Sequence, residues 1–228
     1  MMDDIIFEDR RDAGRRLAKV LIKQKDFKQP LVVLGIPRGG LVVADEVAEA
    51  LSASLDVIIV RKLRAPFQPE LGIGAVVNGD HISIINEELV RDAEISLEYL
   101  EGEIAYQQKE VERRLRLYRS DRPPLDVAGK SVIVIDDGIA TGYTFRAALE
   151  GLRRRNPARL IAAVPVAARS SVDMVSAFAD ETICLGMPFP FNAVGEWYRN
   201  FDQVEDEEAI AILHRNWARF TSQKSVDT

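Results

Sequence analysis

Short apolar runs alternate along this chain with segments that have the residue spacing of amphipathic helices. The runs are rich in Val, Ile and Leu and are short, which is typical of strands covered on both faces of a parallel sheet. The runs lie at 30–36, 55–63, 131–136, 159–167 and 181–186, and the helical segments lie at 9–25, 39–53, 143–155, 170–178 and 206–220. Because parallel neighbours need crossover connections, the pattern predicts an α/β fold: a mostly parallel twisted sheet with helices on both faces, in one domain over 1–228.

Two segments interrupt this alternation. Residues 71–79 and 81–86 have the composition of two strands joined by a tight turn at 78–80. Residues 87–119 have a helical pattern with a break expected at Gly102, and they lie between two predicted core strands. We therefore interpret 87–119 as a helical insertion, which we expect either to shield the functional site or to form a dimer contact.

Composition limits the class of protein. The 228 residues carry a formal net charge of −6, which disfavours binding to a nucleic-acid backbone, since that requires a basic surface. The only histidines are His81 and His214 and the one cysteine is Cys184, so no Cys/His cluster has zinc-site spacing. No stretch approaches the roughly 18 apolar residues of a membrane span, and the acidic N-terminus lacks the apolar region of a signal peptide. We expect a cytoplasmic protein that binds neither nucleic acid nor membrane.

Two adjacent acids end the apolar run in VIVIDDGIATGYT, residues 132–144. Ligands of parallel sheets bind at the carboxyl edge of the strands, and Asp136 and Asp137 lie at such an edge. A carboxylate repels a phosphate, but it accepts hydrogen bonds from sugar hydroxyls and helps to hold Mg²⁺. The pair therefore predicts contacts to a polyol or to a metal ion.

The residues that follow the acids favour an anion instead. Gly138 and Gly142 permit close approach of the backbone to a ligand. Free amides at the start of the next helix can donate to a phosphate, and so can the hydroxyls of Thr141 and Thr144. No GxxxxGK[ST] motif of nucleotide-binding loops is present. One loop could thus bind a phosphorylated sugar at both ends.

The segment 132–144 closely resembles the phosphoribosyl pyrophosphate (PRPP) motif of type I phosphoribosyltransferases. That motif is an apolar strand, two acids, and a loop of small residues that ends in Thr-Gly-x-Thr. The resemblance implies that Asp136 and Asp137 bind the ribose hydroxyls. It also implies that the 5′-phosphate is held by Ala140, Thr141, Gly142, Tyr143 and Thr144. Many purine-using members carry an acid at the place of Ala140, so this alanine argues against a hypoxanthine- or guanine-type substrate.

Two further places carry the resemblance. GIPRGGL, residues 35–41, is similar to the pyrophosphate loop of the family, with Arg38 as a fork for phosphate oxygens and Gly39 as a point of close approach. A plain strand-to-helix turn with a surface arginine is the alternative. A non-proline cis peptide near Arg38 is a sharp prediction, because such bonds are rare and costly. VRKL, residues 60–63, resembles a basic pair of the family, which implies a contact of Lys62 with PRPP.

Residues 187–204 fall where the family places its hood, a small appendage over the acceptor. Aromatic residues are concentrated there, although they make up only 7% of the chain. By this resemblance Phe191, Trp197 and Tyr198 are acceptor-binding residues, since an aromatic ring can stack on a planar base. The alternative is that these rings pack the hood onto the sheet.

The resemblance implies an Mg²⁺-dependent enzyme that moves ribose 5-phosphate from PRPP to a nitrogenous base and releases pyrophosphate. Its catalytic residues would be Asp136, Asp137, Arg38 and Lys62, with the two acids also as metal ligands. Family members are often dimers, so a homodimer is an expected assembly. Two alternatives remain open: a PRPP- or nucleotide-binding regulator on the same fold, and a phosphosugar hydrolase that needs no acceptor.

Overall fold

Parallel strands form the centre of the molecule. The computed structural model describes residues 6–24, 27, 30–69, 71–78 and 82–224. Its strands are β1 (Leu31–Gly35), β2 (Ser54–Val57), β3 (Val60–Arg64), β4 (Gly72–Val77), β5 (Ile82–Ile85), β6 (Ser131–Ile135), β7 (Arg159–Val166) and β8 (Glu181–Gly186). Five of them form a parallel sheet in the order β2-β1-β6-β7-β8. The predicted mostly parallel sheet is confirmed.

Helices cover both faces of this sheet, as the alternation predicts. They are α1 (Arg10–Leu21), α2 (Gly39–Ala50), α3 (Glu87–Asp92), α4 (Leu97–Arg119), α5 (Tyr143–Arg153), α6 (Arg169–Ser176) and α7 (Asp206–Lys224). Val33 points to the face covered by α1, α2 and α7, whereas Val32 and Leu34 point to the face covered by α5 and α6. This alternation buries each strand on both sides, which explains its continuous apolar sequence. Within the described residues no helix is long and apolar enough to cross a membrane.

The register of the sheet brings two loops together. Gly35, the last residue of β1, lies opposite Ile135, the last residue of β6. The pairing continues one residue further, because the amide of Ile36 donates to the carbonyl of Ile135 at 2.8 Å. The segments that follow these strands, 36–40 and 136–142, are therefore neighbours at the carboxyl edge.

The prediction of one strand over 55–63 is wrong. The chain leaves the parallel sheet after β2, and β3 pairs instead with β4 in an antiparallel sheet of order β3-β4-β5. The break falls at Ile58 and Ile59, where the amide of Ile59 donates to the side chain of Asn78 at 2.6 Å. Leu63 packs toward α4 and Val77 toward α5, so the small sheet shares both cores of the molecule. The predicted turn at 78–80 lies partly outside the described residues.

The helical segment 87–119 breaks at a different place from the one predicted. Gly102 lies inside α4, and the interruption falls at 93–96, between α3 and α4. Ser96 begins α4 as its N-cap, since its hydroxyl accepts from the amide of Tyr99 at 3.2 Å. A glycine in an exposed helix costs only about 1 kcal/mol relative to alanine, which a helix of this length tolerates. Helix α4 packs against β3, β4 and α7 through Val111 and Tyr118.

Candidate active site

The two acids lie at the carboxyl end of β6, half-buried beside α1. The amide of Asp137 donates to Oδ1 of Asp136 at 2.8 Å. Oδ2 of Asp137 accepts from Nε of Arg10 at 2.7 Å. Burial and the neighbouring charge of Asp137 raise the pKa of Asp136 well above its usual range, and Arg10 partly opposes this effect. The sequence-predicted acid pair therefore sits together, with Asp137 held by a cation.

The loop after the acids is anchored on one side and open on the other. Ile139 pairs with β7 and the following turn, because its amide donates to Val166 and its carbonyl accepts from Ala168, both at 3.0 Å. The hydroxyl of Ser171 donates to the carbonyl of Ala140 at 2.5 Å. These contacts fix the loop by one edge and leave its other edge available.

The open edge of this loop presents backbone amides to solvent. Gly142 has φ +81° and precedes α5, a conformation that favours glycine. The amides of Ala140 and Thr141 donate no hydrogen bond to the described part of the chain. The side chains of Thr141 and Thr144 are exposed, and that of Tyr143 is 66% exposed, so all three are accessible to solvent. This is the arrangement that binds a phosphate at a helix N-terminus.

Gly138 lies where the loop meets the segment after β8. A methyl group built on Gly138 would stand 2.5 Å from Cγ1 of Val194. Val194 begins a short 3₁₀ helix, Val194–Trp197, within the segment predicted as the hood. Glycine at 138 is therefore required by close packing.

The loop after β1 packs directly on the acids. The Pro37–Arg38 peptide bond is cis, which confirms the prediction of a non-proline cis peptide near Arg38. A methyl group built on Gly39 would lie 1.9 Å from Oδ2 of Asp137, and one on Gly40 would lie 2.8 Å from Cα of Asp136. Both glycines are therefore needed for the contact between the two loops. Arg38 points to the segment before α7, where Nη1 lies 3.4 Å from Oε2 of Glu205.

The basic pair of β3 lies on the small antiparallel sheet, where β3 pairs with β4. Lys62 is exposed, and its stem runs beside Gly72 of β4. Nε of Arg61 donates to the side chain of Gln107 at 3.1 Å and so joins β3 to α4. The role of Lys62 toward PRPP stays a prediction.

The aromatic residues of 187–204 separate into two groups. Phe191 and Trp197 stack with ring centroids 6.1 Å apart and are half-buried. Tyr198 is only 6% exposed, and its ring lies between those of Phe7 and Phe201, at 5.3 and 5.0 Å. The prediction that Tyr198 stacks on the acceptor does not fit this burial, because the rings of Phe7 and Phe201 already pack against the tyrosine ring.

Tyr198 contacts the acid pair by its other end. Its hydroxyl donates to the backbone carbonyl of Asp137. Burial, together with the charge of Asp137, raises the pKa of this hydroxyl, so it stays protonated as a donor. Tyr198 thus fixes the backbone of Asp137, and Arg10 holds the carboxylate of the same residue.

Sequence reasoning missed Arg10. It begins α1, and Nη1 donates to the carbonyl of Asp202 at 2.8 Å while the guanidinium carbon lies 3.8 Å from the ring centroid of Phe201. Its partner Asp137 is 127 positions away. Arg10 stands in the basic stretch RRDAGRR, where nothing local distinguishes it from its neighbours.

The acid pair fits a metal ion that arrives with a substrate. Within the described residues, no group of three or more His, Cys, Asp or Glu side chains could hold a metal by itself. Mg²⁺ is commonly held by one or two carboxylates together with substrate phosphates, and Asp136 and Asp137 supply such a donor set. Since Arg10 occupies Oδ2 of Asp137, the pair does not form a protein-only metal cage.

Sequence comparison with known proteins relates the chain to one family. The model of the phosphoribosyl transferase domain matches residues 6–198. Two Mycobacterium tuberculosis proteins whose names contain the term phosphoribosyl transferase are 40% identical over 222 residues, which is 97% of this chain and 49% of theirs. The chain thus spans about half the length of the curated relatives it matches.

A solved structure has the same fold. The Thermus thermophilus protein TT1426, known from a crystal structure, is 42% identical, with a TM-score of 0.81 over 91% of this chain and 97% of the other. The match over residues 6–198 agrees with the parallel sheet and with strand β6, which is followed by two acids. The chain belongs to the phosphoribosyl transferase domain family.

Proposed function

We propose that this protein transfers ribose 5-phosphate from PRPP to a nitrogen atom of a small base and releases pyrophosphate, with Mg²⁺. One observation carries the proposal: the acid pair, the open amide loop and the glycine loop with Arg38 meet at one edge of the sheet. Together they offer separate partners for the phosphate, the hydroxyls and the pyrophosphate of a single substrate.

The substrate binds across the two loops. The 5′-phosphate takes hydrogen bonds from the amides and hydroxyls of 140–144, since this edge is exposed and unpaired. The ribose hydroxyls donate to Asp136 and Asp137. The pyrophosphate lies against 37–40, where Arg38 supplies charge-assisted hydrogen bonds, with Lys62 as a further cation.

The residues then favour breakage of the bond between C1 of the ribose and the pyrophosphate oxygen. The electron pair of that bond leaves with pyrophosphate, and positive charge develops on the ribose ring, as in glycoside chemistry. Asp136 and Asp137 favour this charge electrostatically, while the loops hold the ring in place. The nitrogen of the acceptor then bonds to C1 and releases its proton. Asp136 and Asp137 would help to hold Mg²⁺, which would offset the negative charge of the leaving pyrophosphate.

The acceptor lies under the segment 187–204, with Phe191 and Trp197 as the rings that contact it. We assign Tyr198 a different role from the one the sequence suggested, because its ring is buried and its hydroxyl holds Asp137. Ala140 offers no side-chain base, and its carbonyl is already taken by Ser171. The proton of the acceptor therefore passes to a group other than residue 140, such as solvent or the departing pyrophosphate.

The test is release of pyrophosphate from PRPP and Mg²⁺, measured with and without each member of a panel of purines and pyrimidines. We expect release only with an acceptor, and formation of the matching nucleoside 5′-phosphate. Binding of PRPP without turnover across the panel would identify a regulator. Release without any acceptor would identify a hydrolase. The same preparation, examined by sedimentation, tests the expected homodimer.

A further inference from the structure

Arg10 connects four parts of the molecule around one guanidinium group. It extends from α1 to Asp137, at the end of β6, by Nε, and to the carbonyl of Asp202 by Nη1. The guanidinium lies over the ring of Phe201. It also touches the loop after β1, because a methyl group on Gly39 would stand 2.7 Å from Nε. Only 11% of the side chain is exposed.

These contacts fix the orientation of the guanidinium plane. Two of its nitrogen atoms donate in different directions, and the aromatic ring restricts rotation about the side chain. A guanidinium held in this way gives its carboxylate partner a defined position, because the hydrogen bond between them is short and directional.

Asp137 is consequently held at both ends. Arg10 binds one carboxylate oxygen, and the hydroxyl of Tyr198 binds the backbone carbonyl. Outside the acid pair itself, no described donor contacts the second carboxylate oxygen. This leaves one oxygen of Asp137 as an oriented acceptor for a ligand.

Charge gives Arg10 a second effect. Two adjacent carboxylates that face a ligand with several phosphates would repel it. Arg10 offsets one of these negative charges, because its Nε lies 2.7 Å from Oδ2 of Asp137. The carboxylate can thus serve hydroxyl groups beside a strongly anionic substrate.

We propose that Arg10 is a positioning residue: it orients Asp137 toward the ribose hydroxyls of PRPP and offsets its charge. This inference rests on the proposed function, since it takes PRPP as the ligand. Arg10 acts through Asp137 and need not contact the substrate.

A double-mutant cycle tests this coupling. PRPP affinity, measured by calorimetry with Mg²⁺, is compared for wild type, R10A, D137N and the double variant. We expect R10A to weaken binding roughly 10-fold, as loss of a charged hydrogen bond does, and to have little further effect in the D137N background. The matched control is R15A, which removes an arginine from an exposed position on the same helix, 4.0 Å from Glu46. R15A is expected to bind PRPP as wild type does.

Two results would overturn the inference. One is a lowered melting temperature for R10A with unchanged PRPP affinity, which would make Arg10 a purely structural residue. The other is an R10A effect of equal size with and without D137N, which would mean that Arg10 does not act through Asp137.

R10K keeps the test decisive if R10A does not fold. Lysine restores the charge but not the paired donors, so we expect it to recover only part of the PRPP affinity. Full recovery would refute the positioning role and would show that the positive charge by itself is sufficient. If wild type itself does not bind PRPP, the proposed function fails, which is distinct from any failure of Arg10.

Discussion

The two loops of the site differ in how firmly each holds its charged side chain. Asp137 is 16% exposed and pairs at 2.7 Å with Arg10, which is itself 11% exposed. Arg38 is 32% exposed and lies 3.4 Å from Glu205, which is 62% exposed. A buried, short pair fixes geometry, whereas an exposed, longer one contributes about 0–1 kcal/mol and exchanges readily.

Under the proposed function, the difference corresponds to two tasks. The acid loop must present carboxylates to neutral hydroxyls in a fixed arrangement, so its partners are permanent. The arginine loop must accept pyrophosphate as part of the substrate and release it as product, so a weak internal carboxylate is a suitable resting partner for Arg38. Substitutions on the acid side should therefore have large effects, and those on the arginine side smaller ones.

The largest effect is expected for D137N. The amide keeps the size of the side chain but loses the negative charge and the pairing with Arg10, so PRPP affinity should fall about 100-fold, corresponding to charged hydrogen bonds of about 3 kcal/mol. Calorimetric titration measures the loss, and circular dichroism confirms that the fold is retained. D121N, at an exposed position, is the control. Wild-type affinity in D137N would contradict the role of the acid.

G39A should have the next largest effect. The added methyl group would lie 1.9 Å from Oδ2 of Asp137 and 2.7 Å from Nε of Arg10, so it must push the pair apart. We expect PRPP affinity to fall about 30-fold, since the charged hydrogen bond between Arg10 and Asp137 is disturbed and the carboxylate is displaced.

G102A is the matched control for G39A. A methyl group on Gly102 meets nothing within 4 Å, and alanine should stabilise α4 by up to about 1 kcal/mol without changing PRPP affinity. Equal PRPP affinities in the two variants would show that the contact between the loops is unimportant for the site.

R38A separates the two ends of the substrate. Loss of the guanidinium should weaken pyrophosphate binding about 10-fold and ribose 5-phosphate binding much less, because Arg38 belongs to the glycine loop and its guanidinium is directed toward Glu205, before α7. Affinities for both ligands are measured in parallel. Losses of equal size would remove Arg38 from the pyrophosphate end.

E205Q should give the smallest change, and in the opposite direction. Removing the carboxylate frees Arg38 from its resting partner, so pyrophosphate affinity should rise about 2-fold, in line with an exposed ion pair. E207Q changes the net charge equally at another exposed position and is the control. A rise of the same size in both variants would indicate a general charge effect instead of a local one.

Much of the fold could be predicted from sequence, because buried parallel strands and their helices leave a strong periodic pattern. The acid-ended strand β6 and the cis peptide at Arg38 were predictable for a related reason: each lies within a contiguous motif. The break at Ile58 and Ile59 was not, since the apolar run continues through it and Asn78, whose side chain accepts from the amide of Ile59, lies 19 positions away.

The supporting contacts of the site could not be predicted in this way. Arg10 reaches Asp137 across 127 positions, and Tyr198 reaches it across 61. Aromatic composition suggested that Tyr198 faces a ligand, but an aromatic ring packs equally well on protein, and only the fold distinguishes the two.

A crystal structure with PRPP and Mg²⁺ tests the central claim most directly. We predict the 5′-phosphate within hydrogen-bonding distance of the amides of 140–144, the ribose hydroxyls on Asp136 and Asp137, and the pyrophosphate against Arg38. PRPP bound elsewhere, or bound with its phosphate away from these amides and its hydroxyls away from both acids, would contradict the account.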